Sequence, residues 1–107
     1  MNETEFNQLV DGIFMKIEDA IEDCDAEIDY ETMGGILTLE FENGSQVIIN
    51  RQTAARQIWV AAKSGGFHLD MNEDGSQWYS GDKETLPDLL NRVCSEQSGM
   101  KVELDFE

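Results

Sequence analysis

The feature that most constrains this 107-residue chain is a change of apolar period about a quarter of the way along it. Phe6, Leu9, Val10, Ile13, Phe14, Ile17, Ala20, Ile21 and Cys24 keep the i, i+3, i+4, i+7 spacing of an amphipathic helix. From Ile28 onward the period drops to two. Ile28 and Tyr30 alternate with Asp29 and Glu31, and Leu37, Leu39 and Phe41 alternate with Thr38 and Glu40. Met33-Gly34-Gly35 reads as a tight turn. Asn43-Gly44 predicts a type I′ hairpin, which needs positive φ at both central residues. Val47 and Ile49 continue the alternation on the returning strand, so three antiparallel strands follow the helix.

Residues 53–63 carry two conflicting signals. Thr53-Ala54-Ala55-Arg56-Gln57 contains good helix formers, yet Ile58, Val60 and Ala62 alternate with Trp59, Ala61 and Lys63 before Ser64-Gly65-Gly66. The alternation predicts a strand over 57–63 paired with one over 66–71, where Phe67, Leu69 and Met71 alternate with His68 and Asp70. Asn72–Gln77 reads as a turn and Trp78-Tyr79 as a short strand. Thr85-Leu86-Pro87-Asp88 resembles a helix start, with proline in the tolerated first turn. Leu86, Leu89, Leu90, Val93 and Cys94 stripe a second helix ending near Ser98-Gly99, and Val102, Leu104 and Phe106 form a tail able to pack on the core. The expected fold is α+β: one domain over 1–107, a two-layer sandwich with both helices on one face of a five- to six-stranded antiparallel sheet. The other face is expected to display Ile48, Arg51, Trp59 and Lys63.

With 23 acidic residues against seven lysines and arginines, the net charge is −16. Such a field repels nucleic acid and anionic membrane surfaces and attracts cations and basic protein surfaces. An apolar content of 40% argues against disorder. The acidic first residues and the lack of any apolar run near ~20 residues point to a cytoplasmic protein without a signal peptide or membrane span. Cys24 and Cys94 lack a CxxC spacing and are expected to be reduced thiols packed as small apolar residues.

No basic residue lies between Lys16 and Arg51, while Glu18, Asp19, Glu22, Asp23, Asp25, Glu27, Asp29, Glu31, Glu40 and Glu42 fall in that interval. Glu18/Glu22 and Asp19/Asp23 are i, i+4 pairs whose like charges cost a few tenths of a kcal/mol each. Asp23 and Asp25 stand at the negative end of the helix dipole. Asp29 and Glu31 are expected to extend the same patch along the first strand. Oxygen ligands suit hard cations such as Fe³⁺, Mg²⁺, Ca²⁺ and Mn²⁺, with Fe²⁺ acceptable. An exposed helix face predicts several shallow, weak sites; the plainer alternative is a solvated charged face that keeps the chain soluble.

Asp70-Met71-Asn72-Glu73-Asp74-Gly75 matches the first half of a calcium loop, but Gly81 stands where the bidentate glutamate belongs, so a hairpin turn is the better reading. His68, the sole histidine, is expected at the surface, with an auxiliary metal role as the alternative. Trp59, pointing to the open face beside Asn50-Arg51-Gln52, is a candidate contact anchor; the alternative is a register that buries it. No Ser-His-Asp or Cys-His arrangement, phosphate loop or zinc pattern marks an enzyme.

The chain resembles frataxin, in its bacterial form, over nearly its whole length. The resemblance rests on the acidic first helix, the turn at Gly34-Gly35 and the run from Phe41-Glu42-Asn43-Gly44 through Asn50-Arg51-Gln52. Gln57-Ile58-Trp59-Val60-Ala61 and Ser64-Gly65-Gly66-Phe67-His68 complete it. It implies a helix–sheet–helix sandwich that binds Fe²⁺ and Fe³⁺ weakly along the ridge and serves as an iron donor or regulator in iron–sulfur cluster assembly. It implies contact with a cysteine desulfurase and its scaffold protein. The iron role carries over to Glu18, Asp19, Glu22, Asp23, Asp25, Asp29 and Glu31, and the contact role to Asn50, Arg51, Gln52 and Trp59. The expected state is a monomer, with iron-dependent oligomers as an alternative. Nothing beyond weak ferroxidase activity is expected by way of catalysis. Two departures stand out: a short link between the first helix and first strand, and Thr53-Ala54-Ala55 where a proline is common.

Overall fold

The computed structural model describes residues 1–73, 75–81 and 83–106. The first helix, α1, runs Glu3–Asp23. Its start is fixed by a capping box: the Asn2 side chain accepts from the Glu5 N–H at 2.8 Å, and the Asn2 N–H donates to the Glu5 carboxylate at 3.3 Å. Six strands follow: β1 Ile28–Met33, β2 Ile36–Phe41, β3 Gln46–Gln52, β4 Gln57–Ala62, β5 Gly65–Met71 and β6 Trp78–Ser80. They form one antiparallel meander in the order β1-β2-β3-β4-β5-β6. The second helix, α2, runs Leu86–Ser98 behind the Thr85 cap, whose hydroxyl accepts from the Asp88 N–H.

The period change makes this fold. Phe6, Val10, Phe14, Ile17 and Ile21 of α1 and Leu86, Leu89, Leu90, Val93 and Cys94 of α2 are buried against Leu37, Leu39, Phe41, Val47, Ile49, Ile58, Val60 and Leu69 of the sheet. Burying each large side chain is worth about 1.5–3 kcal/mol. The strand signal at 57–62 wins over the local helix preference because alternation buries Ile58 and Val60 on the sheet's core face. The tail packs as expected: Val102 and Leu104 are buried, held by backbone bonds to the Ser95 hydroxyl and the Asn91 side chain at 2.8 Å each. Cys94 is buried and Cys24 half-buried, both as free thiols.

Three expectations are corrected. The type I′ geometry lies at Gly34-Gly35, where φ is +59° and +81° and Met33 pairs with Ile36. At Asn43-Gly44 only the glycine has positive φ; the Gly44 N–H bonds back to Phe41 O at 2.9 Å, and the Phe41 N–H to Ser45 O at 2.9 Å. That is the longer loop with a type I turn and a left-handed glycine. Leu9, assigned to the buried stripe, is 41% exposed, because it lines an open groove of about 330 Å³ with Ile13, Trp78 and Phe106.

Arg51 is the third correction. It shares strand parity with Val47 and Ile49 and pairs with Ile58, so it points to the helix layer, not the open face. There its guanidinium bonds Asn7 at 3.1 Å, forms an ion pair with Asp11 and lies 5.4 Å from the Phe14 ring centre. Gly35 makes room for it: a Cβ there would sit 3.3 Å from the Arg51 stem.

Candidate metal ridge and contact face

The ridge is built from two elements that meet along a seam. Glu18 and Glu22, one turn apart on α1, face Thr32 and Tyr30, two apart on β1. The Tyr30 hydroxyl donates to Glu22 at 2.7 Å and the Thr32 hydroxyl donates to Glu18. The Glu22 carboxylate beside it pushes the Tyr30 phenol up to about 12, helped by burial and by the charges of Glu22, Glu18 and Asp19. These two glutamates are therefore oriented, whereas Asp19 and Asp23 are exposed on the helix. The last turn of α1 holds no basic residue to offset its dipole.

Asp29 and Glu31 do not continue this helix face. Strand alternation turns them with Met33 to the open side of the sheet, opposite Tyr30 and Thr32. Asp29 stands across from Glu40, and beyond the strand end Glu27 meets Glu42. The Glu27 carboxyl is held above its ordinary value chiefly by its hydrogen bond to Glu42 and that neighbour's charge. The expected single patch is thus two acidic surfaces joined over the β1 edge, with Asp25 at their junction.

The tail adds two acids that lie far from the ridge in sequence. Glu103 borders a depression with Asp23 and Asp25, and Asp105 borders one of about 240 Å³ with Asp19, Glu22 and Asp23. Only packing of Val102 and Leu104 brings them there. Among the described residues, no three histidine, cysteine or acidic side chains converge on a ready metal cage. Asp74 of the calcium-like run lies outside the described residues; its neighbour Asn72 braces the turn by accepting from the Ser76 and Gln77 amides at 2.9 and 3.3 Å.

On the open face, the register aligns Met33, Ile36, Asn50, Trp59 and His68 in one row across five strands. Trp59 is half-buried, stacked on His68 with ring centres 4.1 Å apart, and its indole N–H bonds Gln57 at 2.7 Å. Met33 and Ile36 are 69% and 39% exposed, so the row is apolar at one end and aromatic at the other. Asn50 and Gln52 share this face by parity; Arg51 does not. Another polar residue that sequence reading missed is Gln97. It is buried in α2, where its amide bonds the Gln46 carbonyl at 3.1 Å and receives the Lys63 N–H at 2.9 Å. A glutamine at helical spacing gives no advance sign of this role.

Comparison with known proteins agrees across sequence and fold. A family profile described as a frataxin-like domain matches residues 1–100. The "iron-sulfur cluster assembly protein CyaY" of Pseudomonas aeruginosa is 52% identical over 104 residues, covering 96% of each chain. The protein of the same name from Azotobacter vinelandii is 45% identical, covering 96% of this chain and 94% of its own. The solved frataxin of Psychromonas ingrahamii superposes with a TM-score of 0.88 at 38% identity, over 100% of this chain and 99% of its own. Yeast frataxin gives 0.61 at 28% identity over 87% and 76%. With the helix–sheet–helix layering and the acidic seam already in place, these matches show that the chain belongs to the frataxin family.

Proposed function

We propose that this chain serves iron–sulfur cluster assembly as a non-catalytic iron carrier and regulator in the cytoplasm. Its cargo is Fe²⁺ or Fe³⁺, held weakly by Glu18, Asp19, Glu22, Asp23, Asp25, Asp29 and Glu31. The reading rests on the names its relatives carry and on one observation of this chain: none of these seven acids has a salt-bridge partner among the described residues. With Lys16 alone beside Asp19, Glu22 and Asp23, and no ion pair formed to them among the described residues, the surface keeps charge for external cations. Oxygen donors spread over two faces fit weak, exchangeable binding of hard ions, and other di- or trivalent cations would substitute. The partners in this reading are a cysteine desulfurase, drawn to the ridge by charge, and an iron–sulfur scaffold protein. Asn50, Gln52 and Trp59 supply contacts on the open face, while Arg51 fixes α1 to the sheet beneath them.

The rival reading makes the acids a docking surface for a basic partner with iron binding incidental; it is favoured by the wide spread of the acids, which form no converging cage among the described residues. Anaerobic Fe²⁺ titration by NMR, paired with desulfurase assays with and without iron, separates the two. In Glu18→Gln/Glu22→Gln, the carrier reading expects iron binding and regulation to fall together. If regulation persists after iron binding is lost, the docking reading replaces it.

A further inference from the structure

The two edges of the sheet are finished differently. Strand β6 is short, and the chain folds back over it: Tyr79 bridges to Thr85, and the Ser80 N–H bonds the Glu84 carbonyl at 3.0 Å. Strand β1 is twice as long, with Ile28–Met33 all paired to β2 on one side and, among the described residues, no strand on the other. Because the two-residue turn makes Met33 and Ile36 a hydrogen-bonded pair, Asp29 and Glu31 bond inward. The N–H and C=O groups of Tyr30 and Thr32 then point outward. The Ile28 N–H is already used by the Ala26 carbonyl at 3.1 Å, so the free stretch begins just beyond it. An open edge of this length is a template for another strand.

Its chemistry selects the occupant. On the open side the edge is flanked by Asp29 and Glu31, backed by Glu40; on the helix side it is flanked by Glu18 and Glu22, held there by Thr32 and Tyr30. A strand laid along β1 would meet carboxylates on both of its faces. A second copy of this chain pairing edge to edge would bring its own Asp29 and Glu31 against them and be repelled. We propose that the β1 edge is a strand-addition site for an extended, Lys/Arg-rich segment of a protein partner, with backbone bonds to Tyr30 and Thr32 setting its register. The inference rests on the reading of the ridge as a docking surface and adds the backbone as the element that aligns the partner.

The test uses the whole chain and a capped octapeptide, Lys-Val-Arg-Lys-Val-Arg-Lys-Val, measured by calorimetry and amide hydrogen exchange. Thr32→Pro removes one outward donor, leaves every charge in place and is tolerated on a strand edge; Thr32→Val removes only the hydroxyl. The expected result is slowed exchange at the Tyr30 and Thr32 amides on binding, about tenfold weaker affinity for Thr32→Pro, and near-unchanged affinity for Thr32→Val. The same peptide N-methylated at alternate residues keeps its charge and should bind about tenfold more weakly, a control independent of whether Thr32→Pro folds. Equal affinity for both peptides, with unprotected amides, overturns strand addition while leaving charge-driven docking intact. No peptide binding at all, or binding indifferent to Glu18→Gln/Glu22→Gln, overturns both.

Discussion

The acids of the first half of the chain and those around α2 are treated in opposite ways. Arg92 grips Glu84 through two bonds of 2.9 and 3.0 Å, reaches Glu96 one turn on, and lies 5.3 Å from the Phe67 ring centre. Lys101 pairs with Glu103 at 2.9 Å. On α1 only Asp11 is met, by Arg51; from Glu18 through Glu31 no salt bridge forms among the described residues, and six of the seven lysines and arginines come after residue 50. One region balances its charge internally; the other keeps an unmet charge. Since the fold needs α2 and its tail to seal the core, local compensation sits where stability is required, and the deficit sits where a ligand can meet it.

The largest way to break this contrast is Arg92→Ala. It removes the bidentate contact and the packing on Phe67, and after discount for the partial exposure of Arg92 should cost about 1–2 kcal/mol. Urea melts should show a lower midpoint with unchanged slope; a change below experimental error would mean the α2 network is ornamental. Next in size, millimolar Mg²⁺ or Ca²⁺, or added NaCl, should raise the wild-type Tm by roughly 3–6 °C by meeting the ridge charge. A flat response in differential scanning calorimetry would sink the view that the ridge repels itself. Smaller again, Glu18→Gln/Glu22→Gln should gain roughly 1–3 °C at low salt and blunt the cation response. A loss of stability would instead show that their bonds to Thr32 and Tyr30 outweigh the repulsion.

The smallest effect concerns pH. Because folding raises the Glu27 pKa above its ordinary 4.5, the folded chain holds that proton more tightly than the unfolded chain does. The stability it contributes is present below 4.5 and is lost as pH rises through the higher folded value. Glu27→Gln should flatten that part of the Tm–pH curve, and an unchanged curve would remove the Glu27–Glu42 contact from the account.

Much of this was legible in the chain because burial imposes period. The stripe from Phe6 to Cys24 and the alternation from Ile28 to Leu69 fix helix, strands and layer without further information. What stayed illegible depends on contacts between distant segments. Arg51 looked like a surface residue because its Asn7 and Asp11 partners lie on another element. Asp29 and Glu31 looked continuous with the helix acids because one dimension does not show which side of a strand faces α1. Glu103 and Asp105 joined the ridge only through the tail's packing, and Asn43-Gly44 misled because loop length, not the dipeptide alone, selects the turn.

The two tryptophans give the molecule a pair of built-in optical reporters with separate duties. Trp78 is 2% exposed and meets Phe6 edge-on at 5.9 Å, so its emission follows the integrity of the core. Trp59, stacked on an imidazole at the surface row, reports what settles on the open face. With Trp59→Phe and Trp78→Phe read side by side, docking and unfolding become separable signals in an unlabelled protein.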